Sequence, residues 1–501
     1  MNSFWIDSVP NILDEHKSLD EDLEADVCIV GGGITGITCA YMLSKQGFKV
    51  ALLEKEKLAC KTTGNTTGKI TSQHGLFYKY LVDSFDHSYA KAYLDANEAA
   101  IKNIKKIITE NNIDCDFSIQ DAYLYSQNED DVQKIKDETN TVNSLGFNAE
   151  FVSNISLPIQ NIKCAIKFSN QAQFHPRKYL RALCKIIEKN NGQIFENSCV
   201  LDIKKENKKY ITYTKEYKVS SKYVILATRY PIINIPGFYF LKMYQELSYI
   251  IGVETNSELF NGMYISNSSP NLSFRTTEYN GKKLLLIGGM QHKVGAKIDL
   301  ENAYKVLEDT AKSLYPDSKI IYKWQTEDTV SLDKIPYIGQ FSELMPNMYV
   351  ATGYKKWGMT SSNIAANIIT DKMLEKENPF EKTFLSTRFH PIKNKEEFAN
   401  MIKESAYSLV INKFNIPEES LKDIKNDEGK IIEIDDQKVG VYRNHEGKVF
   451  AIKPKCSHLG CELSWNNLEK TWDCPCHGSR FDFTGKNIYD PAIKDLERLL
   501  F

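Results

Sequence analysis

The sequence lacks several features that would decide its class at once. Its net charge is only −2 at pH 7, from 63 basic and 65 acidic residues, which gives no electrostatic reason to expect binding to nucleic acid or an anionic membrane. The longest uncharged run, residues 27–43, contains four glycines and predicts a buried strand, turn and helix rather than a membrane span. The N-terminus lacks the basic start and apolar stretch of a secretory signal, which favours a cytoplasmic protein.

Cysteines spread as a disulfide framework are also missing. Seven of the 11 cysteines are isolated along the chain, a pattern typical of buried, reduced thiols. The other four lie between residues 456 and 476. This concentration indicates one local site near the C-terminus. At 501 residues, the chain is long enough for two or three domains.

Residues 26–56, "DVCIVGGGITGITCAYMLSKQGFKVALLEKE", predict a strand, a glycine turn, a helix and a second strand. Gly31, Gly33 and Gly36 form G-x-G-x-x-G, in which glycines let the backbone approach a pyrophosphate at the N-terminus of the helix. Glu54 ends the second strand, where a carboxylate accepts hydrogen bonds from ribose and repels the extra phosphate of NADP. The segment predicts dinucleotide binding but does not distinguish FAD from NAD.

Two distant segments favour FAD. Residues 223–232, "YVILATRYPI", form an apolar strand that ends in a turn of small residues. Residues 347–374 predict a strand, a glycine loop and a helix that opens at Thr360, whose N-terminus would hold the flavin end of an extended cofactor. Together with "DTVSLDKIPYIG" at 328–339, the chain from 20 to about 375 resembles the D-amino-acid oxidase superfamily of FAD-dependent oxidoreductases. That resemblance implies an α/β fold, with a Rossmann-type FAD-binding domain and an inserted substrate domain around 145–175 and 240–330.

The resemblance also implies which residues contact FAD. The segment "CKTTGNTTGKITSQHG" at 60–75 corresponds to the family's flavin-lining stretch, although a polar surface loop is the alternative. One departure is Arg229, which stands where the family's turn has glycine. The full set expected at FAD is Gly31, Gly33, Ile34, Thr35, Gly36, Glu54, Lys55, Thr62, Thr63, Thr66, Thr67, Lys69, Val200, Ala227, Thr228, Gly353, Trp357, Gly358, Met359 and Thr360.

Catalytic residues are less marked, because hydride transfer to a flavin needs mainly orientation and electrostatics from the protein. Lys355 and Lys356 are candidates for stabilising negative charge on the reduced flavin, with solvated lysines as the alternative. Arg275 is a candidate for pairing with a substrate carboxylate, and a structural ion pair explains it equally well.

The C-terminal cluster has the pattern Cys456-x-His458, then Cys474-x-x-His477. A structural zinc site more often pairs its cysteines as C-x-x-C. Alternating Cys and His in two segments instead suits a Rieske [2Fe-2S] cluster, with thiolates on one iron and imidazoles on the other. Such an iron-sulfur centre would carry out electron transfer.

The boxes "CSHLGC" and "CPCHGS" resemble those of bc-type Rieske proteins. The resemblance implies a disulfide between Cys461 and Cys476, and a hydrogen bond from Ser479 to a cluster sulfide. It also implies that "DPA" at 490–492 is a proline loop over the cluster. High-potential members carry tyrosine two residues after the serine, whereas this chain has Phe481, which predicts a lower potential.

We therefore predict an FAD-dependent oxidoreductase at 1–385, a linker at 386–404 and an all-β Rieske domain at 405–501, with strands near 430–434, 438–443 and 448–452. A mononuclear-iron oxygenase is improbable, because no close pair of histidines with a carboxylate occurs outside the cluster boxes. The preferred function is dehydrogenation of an amine or amino acid, with electrons passing from flavin to cluster to an external electron carrier. A reductase fed through the cluster and a non-catalytic electron carrier or redox sensor are the alternatives.

Overall fold

The computed structural model describes residues 3–12, 17–233, 235–296, 302–388, 421–434 and 437–499. Of the predicted linker, residues 389–404 lie outside this part of the chain. The same holds for residues 405–420, which were assigned to the C-terminal domain.

Helices and strands alternate in the N-terminal part, whereas the C-terminal part contains strands. The helices of the described residues are α1 (Phe4–Ser8), α2 (Ile34–Lys45), α3 (Tyr78–Ser84), α4 (His87–Glu110), α5 (Val132–Ser144), α6 (Pro176–Lys189), α7 (Asn302–Leu314), α8 (Gly358–Met373) and α9 (Glu381–Phe384). The strands are β1 (Leu23–Val30), β2 (Val50–Leu53), β3 (Lys69–Ile70), β4 (Ser118–Ser126), β5 (Ala149–Val152), β6 (Cys164–Gln173), β7 (Gln193–Phe195), β8 (Asp202–Glu206), β9 (Lys209–Tyr213), β10 (Lys218–Leu226), β11 (Met243–Glu254), β12 (Met263–Ser266), β13 (Ser273–Tyr279), β14 (Lys282–Lys293), β15 (Lys319–Ser331), β16 (Tyr337–Gln340), β17 (Met348–Thr352), β18 (Glu428–Ile434), β19 (Gln437–Arg443), β20 (Val449–Ile452), β21 (Ser464–Asn466), β22 (Thr471–Asp473), β23 (Arg480–Asp482), β24 (Asn487–Tyr489) and β25 (Arg498–Leu499).

The first sheet is an α/β framework with strand order β16-β17-β10-β1-β2-β7, and β8 and β9 extend it beside β10. β1 lies at its centre, parallel to β2 and to β10. Residues 27–30 and 50–53 are buried throughout, because helices and loops cover both faces of such a sheet. Helices α2 and α8 pack on one face in a common apolar core. The strand, glycine turn and helix predicted at 26–56 are confirmed.

A second sheet of nine strands has the order β15-β11-β14-β13-β12-β4-β6-β3, with β5 beside β6. It includes the segments expected to form the substrate domain. It also includes β3 and β4, which precede those segments and were not predicted as part of it. β4 joins by parallel pairing with β12 far along the chain, and sequence periodicity does not reveal such long-range pairing.

The C-terminal part is all β, as predicted, and contains two four-stranded sheets. Their orders are β18-β19-β20-β25 and β21-β22-β23-β24. Trp472 and Phe481 are buried and opposite one another across β22 and β23. They share an apolar cluster with the four C-terminal cysteines, so the core of this domain surrounds the predicted cluster loops.

No helix in the described part of the chain combines the length and apolar character needed to cross a bilayer.

Candidate functional site

The first cavity lies where β1, β2 and β10 end and helix α2 begins. Gly31 has a φ of +108°, and a Cβ there would lie 2.6 Å from the carbonyl oxygen of Ala227. A Cβ on Gly36 would lie 1.9 Å from the carbonyl oxygen of Gly31. The turn and the helix therefore approach too closely for side chains at these two positions, as a pyrophosphate-binding turn requires.

Glu54 borders this cavity at the end of β2. Its carboxylate accepts hydrogen bonds from the backbone N–H groups of Gly32, at 2.7 Å, and Glu56, at 3.0 Å. Burial raises the pKa of Glu54, while these two donors act in the opposite direction. The two bonds fix the carboxylate at the cavity wall, and each oxygen keeps a lone pair for a ribose hydroxyl.

Most of the residues predicted at FAD line the first cavity. N-termini of two helices open into it, α2 at Ile34 and α8 at Gly358, and they provide the amide donors that suit a pyrophosphate and the flavin end of a dinucleotide. The predicted residues that line it are Gly31, Gly33, Ile34, Thr35, Glu54, Lys55, Thr62, Thr63, Thr66, Val200, Ala227, Thr228, Gly353, Gly358 and Met359.

Five predicted residues lie elsewhere. Thr67, Lys69 and Trp357 line a second cavity instead. Gly36 lies behind the turn, against Gly31, and Thr360 is buried within the first turn of α8. These two support the wall without facing the first cavity.

The second cavity has a volume of about 400 Å³ and adjoins the first. Thr62, Thr66, Asp328 and Lys356 border both. The Nζ atom of Lys356 lies 3.2 Å from the carboxylate of Glu246. Burial raises the pKa of Asp328 to about 6. Sequence reasoning missed Asp328 as a site residue, although it opens the segment 328–339 that carried part of the resemblance.

Two of the three predicted catalytic residues face the second cavity. Lys355 is held over the ring of Phe77, with Nζ 4.4 Å from the ring centroid, and burial lowers its pKa to about 8. Arg275 differs, because it lines neither cavity. Its Nη1 donates to the carbonyl oxygens of Thr67 and Gly68, both at 2.8 Å. These contacts favour a structural role for Arg275 over pairing with a substrate carboxylate.

The cluster loops share one backbone pattern. The N–H of Cys456 donates to the carbonyl of Cys461 at 2.8 Å, and that of Gly460 donates back to Cys456 at 2.9 Å. The second loop repeats both bonds, from Cys474 to Ser479 and from Gly478 to Cys474, at the same distances. The repeated bonds form two matching turns that can each present one cysteine and one histidine.

The four predicted iron ligands converge. The rings of His458 and His477 are 5.1 Å apart, and the thiols of Cys456 and Cys474 are in contact, which lowers the pKa of Cys456 to about 7. The Nδ1 atom of His477 is buried without a hydrogen-bond partner, as expected of an atom reserved for a metal. The donor set therefore fits a Rieske [2Fe-2S] cluster.

Cys461 and Cys476 are joined as a disulfide between the two loops, with Cα atoms 6.7 Å apart. Cys461, Cys474 and Cys476 place their sulfur atoms within 4.8 Å of one another. The cross-link lies directly beside the ligands and would hold the two loops together.

The cluster loops pack against the N-terminal part of the chain. The ring of His477 lies 5.9 Å from that of Phe240, and the ring of His458 lies 6.2 Å from that of Tyr230. A Cβ on Gly295 would lie 2.6 Å from the Cα atom of Pro475. The backbone of the second ligand loop thus rests directly on the N-terminal part of the chain, which forms most of both cavities.

One wall of the first cavity comes from the C-terminal domain, through Ile488, Tyr489, Asp490 and Ile493. Sequence reasoning missed this contribution and assigned the segment to the cluster alone. No sequence signal marks it, because packing of one domain on another brings these residues to the cavity.

Comparison with known proteins identifies a family for each part of the chain. The profile of the family described as "FAD dependent oxidoreductase" matches residues 26–372, and that of the "Rieske [2Fe-2S] domain" matches residues 416–499. The chain is 39% identical over 497 residues to the Rieske 2Fe-2S iron-sulfur protein YhfW of Bacillus subtilis strain 168, covering 99% of this chain and 97% of that protein.

Two solved structures share the fold of the larger part. Glycine oxidase from Geobacillus kaustophilus has a TM-score of 0.62 at 17% identity, covering 74% of this chain and 100% of that one. L-Proline dehydrogenase from P. horikoshii also has a TM-score of 0.62, at 18% identity over 74% of this chain and 98% of that one. The chain therefore belongs to the FAD-dependent oxidoreductase family and carries a C-terminal Rieske domain, with FAD and a [2Fe-2S] cluster as its cofactors.

Proposed function

We propose that this oxidoreductase dehydrogenates an amine or amino acid in the second cavity and delivers the electrons through its Rieske cluster to an external one-electron carrier. The observation that supports it best is the packing of the second ligand loop on the flavin domain, with Pro475 against Gly295. A cluster held at that position is suited to exchanging electrons with a flavin in the same chain. The reduced cluster would pass its electrons to a separate carrier protein. We also propose that the protein is cytoplasmic.

The first cavity would hold FAD through the residues that line it. The N-termini of α2 and α8 would bind the pyrophosphate and the flavin end, and Glu54 would bind the ribose of the adenosine. When bound, FAD supplies a hydride acceptor and the cluster supplies a carrier of single electrons. Oxidation of an amine then balances as one hydride lost from carbon and one proton lost from nitrogen, which leaves a C=N bond.

The second cavity would orient the substrate. Asp328, at the junction with the first cavity, and Glu246, which lines the second cavity, offer carboxylates for an ammonium group. Lys355 lines the same cavity and could pair with a carboxylate of the substrate. Acids and bases in one cavity suit a zwitterion. Glycine and L-proline, after which the two structural neighbours glycine oxidase and L-proline dehydrogenase are named, are zwitterions.

Anaerobic mixing tests the proposal. The full-length protein, with FAD and cluster loaded, is mixed with glycine, sarcosine, L-proline, D-alanine and putrescine in turn. We expect one member of the panel to bleach the flavin absorbance, followed by the EPR signal of the reduced cluster. A Cys474→Ala variant should still show flavin bleaching with that compound and should show no cluster signal.

The result that overturns the proposal is equally defined. If no compound bleaches the flavin, while reduced carriers such as ferredoxin reduce both centres, the chain acts as a reductase or as an electron carrier. If the flavin bleaches and the cluster stays oxidised in the wild-type protein, intramolecular transfer is wrong although dehydrogenation stands.

A further inference from the structure

The proline loop, defined here as Asn487–Ile493, lies between the two cofactor sites. On one side it provides Ile488, Tyr489, Asp490 and Ile493 to the lining of the first cavity. This segment belongs to the Rieske domain, whereas the remaining lining residues come from the flavin domain. The first cavity is therefore closed by both domains.

Three cations of the flavin domain attach this loop to the cavity. Lys55, which follows Glu54, pairs with the carboxylate of Asp490 at 3.0 Å. The side chains of this pair are 24% and 19% exposed. Lys61 donates to the carbonyl of Ile488 at 3.3 Å. Arg229 donates to the carbonyl of Asp490 at 3.3 Å. All three cations line the first cavity themselves.

Arg229, which stands where the family's turn has glycine, contacts the Rieske domain with its side chain. It has a φ of +62°, the left-handed conformation that glycine adopts at no cost. Its guanidinium pairs with Glu327 at 2.8 Å, and its charged centre lies 5.3 Å from the ring centroid of Tyr489. The side chain of Arg229 thus reaches across to the Rieske domain, which glycine at this position could not do.

The opposite side of the proline loop contacts the cluster site. The N–H of Ala492 donates to Oγ of Ser479 at 3.0 Å. Ser479 is fully buried and ends the second ligand loop. A segment of seven residues thus touches the FAD cavity with one side and a cluster loop with the other.

We propose that the proline loop is a wall shared by both cofactor sites, so that bound FAD and the docked Rieske domain stabilise each other. The inference rests on the placement of FAD in the first cavity. A ligand that contacts two domains binds their docked arrangement more tightly than the separated one. By linkage, docking must raise FAD affinity by the same factor by which FAD favours docking.

The first test measures FAD affinity in the full-length, cluster-loaded protein after removal of FAD. Asp490→Asn breaks the pair with Lys55 and keeps the shape of the loop, and we expect it to weaken FAD binding by about fivefold or more, as loss of a partly buried ion pair does. Glu497→Gln is the matched control. It removes one negative charge from the same domain, where Glu497 pairs with Lys453 at the surface, and should leave FAD affinity unchanged.

A second measurement uses the wild-type chain and needs no variant. The visible circular dichroism of the cluster is followed on heating, with and without saturating FAD. We expect FAD to raise the temperature at which the cluster signal is lost, since a ligand that binds the docked state stabilises it by mass action. In Asp490→Asn, FAD should raise the temperature of cluster loss by less than it does in wild type.

The outcomes separate the inference from the proposed function. Equal FAD affinity in Asp490→Asn and wild type, with the cluster EPR signal intact, overturns the shared wall. So does a cluster-loss temperature that FAD does not change. If Asp490→Asn loses its cluster on purification, the heating experiment on wild type still decides. If a substrate bleaches the bound FAD, but FAD affinity and the cluster-loss temperature do not depend on one another, the shared wall is wrong and the dehydrogenase proposal stands.

Discussion

The predicted iron ligands lie within residues 456–477, whereas the residues that line the first cavity run from Val30 to Ile493. The cluster site is built by two short loops with the same backbone bonds. The FAD cavity needs one sheet, two helix N-termini and a loop of another domain. A compact site therefore depends on local geometry, and an extended site depends on how distant elements pack. A substitution at one site, or at their contact, should therefore affect the other site much less.

Cys474→Ala should have the largest effect and should act mainly on the compact site. It removes one of two thiolates, and the three remaining ligands do not complete a Rieske centre. We expect complete loss of the cluster EPR signal and of bound iron, while FAD still binds when it is supplied in excess, with an affinity lowered only by the coupling through the shared wall. Cys164→Ala, at a buried free cysteine in β6, should retain both cofactors. Complete loss of FAD binding, even with FAD in excess, would instead mean that the FAD cavity does not form without the cluster.

Gly36→Ala should damage the extended site and spare the cluster. The new methyl group would lie 1.9 Å from the carbonyl oxygen of Gly31, so helix α2 must move away from the turn that binds the pyrophosphate. We expect FAD affinity to fall by about 100-fold or more, given the size of core overpacking effects, while the cluster EPR signal persists.

Gly47→Ala provides the control, since Gly47 follows the far end of the same helix and has open space at its Cβ position. It should cost some stability, because the φ of Gly47 is +84°, and keep FAD bound. Normal FAD affinity in Gly36→Ala would contradict the assigned role of the turn.

The same contrast explains what the sequence could predict. The ligand loops carry chemistry in their spacing alone, so Cys456, His458, Cys474 and His477 were found together and the structure brings them together. The opening turn of the FAD cavity was also local and predictable. Asp490 was assigned only to the cluster, because nothing in residues 490–492 indicates that the loop also reaches Lys55. Contacts between domains depend on packing that periodicity and motifs do not encode.

Gly295→Ala tests the contact between the two regions. A Cβ at Gly295 would press on the backbone of Pro475, which follows the predicted iron ligand Cys474. Displacing the loop should slow electron transfer from flavin to cluster, because it moves the two centres apart. Stopped-flow reduction of the flavin, followed by the cluster spectrum, measures the rate.

Gly281→Ala is a close control for that experiment. Gly281 has a φ of +74°, against +77° for Gly295, and nothing lies within 4 Å of its Cβ position. It therefore carries the same backbone strain without the clash. Equal rates in the two variants would show that the Gly295 contact does not govern transfer.

Asp328→Asn should change the pH dependence of the flavin. Burial raises the pKa of Asp328 to about 6, so its carboxyl is neutral below pH 6 and charged above it. A carboxylate that borders the FAD cavity disfavours the negatively charged reduced flavin, so the flavin potential should fall as the pH passes 6. We expect an extra fall on the order of tens of mV, the size of one charge acting across several ångströms at an effective dielectric constant near 20. Spectroelectrochemical titration from pH 5 to 8 should show it in wild type and lose it in Asp328→Asn.

Phe481→Tyr should have the smallest effect and acts within the compact site. Phe481 is fully buried among the apolar side chains that surround Cys456 and Cys474. High-potential members of the family that this domain resembles carry tyrosine at the corresponding position. A hydroxyl there would donate to a sulfur and stabilise the more negative reduced cluster. One hydrogen bond of about 0.5–1 kcal/mol corresponds to a rise of about 20–40 mV in a one-electron potential. Phe483→Tyr adds the same hydroxyl two residues further on, outside that group of apolar side chains, and should leave the midpoint potential unchanged. An unchanged or lower midpoint in Phe481→Tyr would mean that burial and thiolate charge, rather than this missing donor, set the potential of the centre.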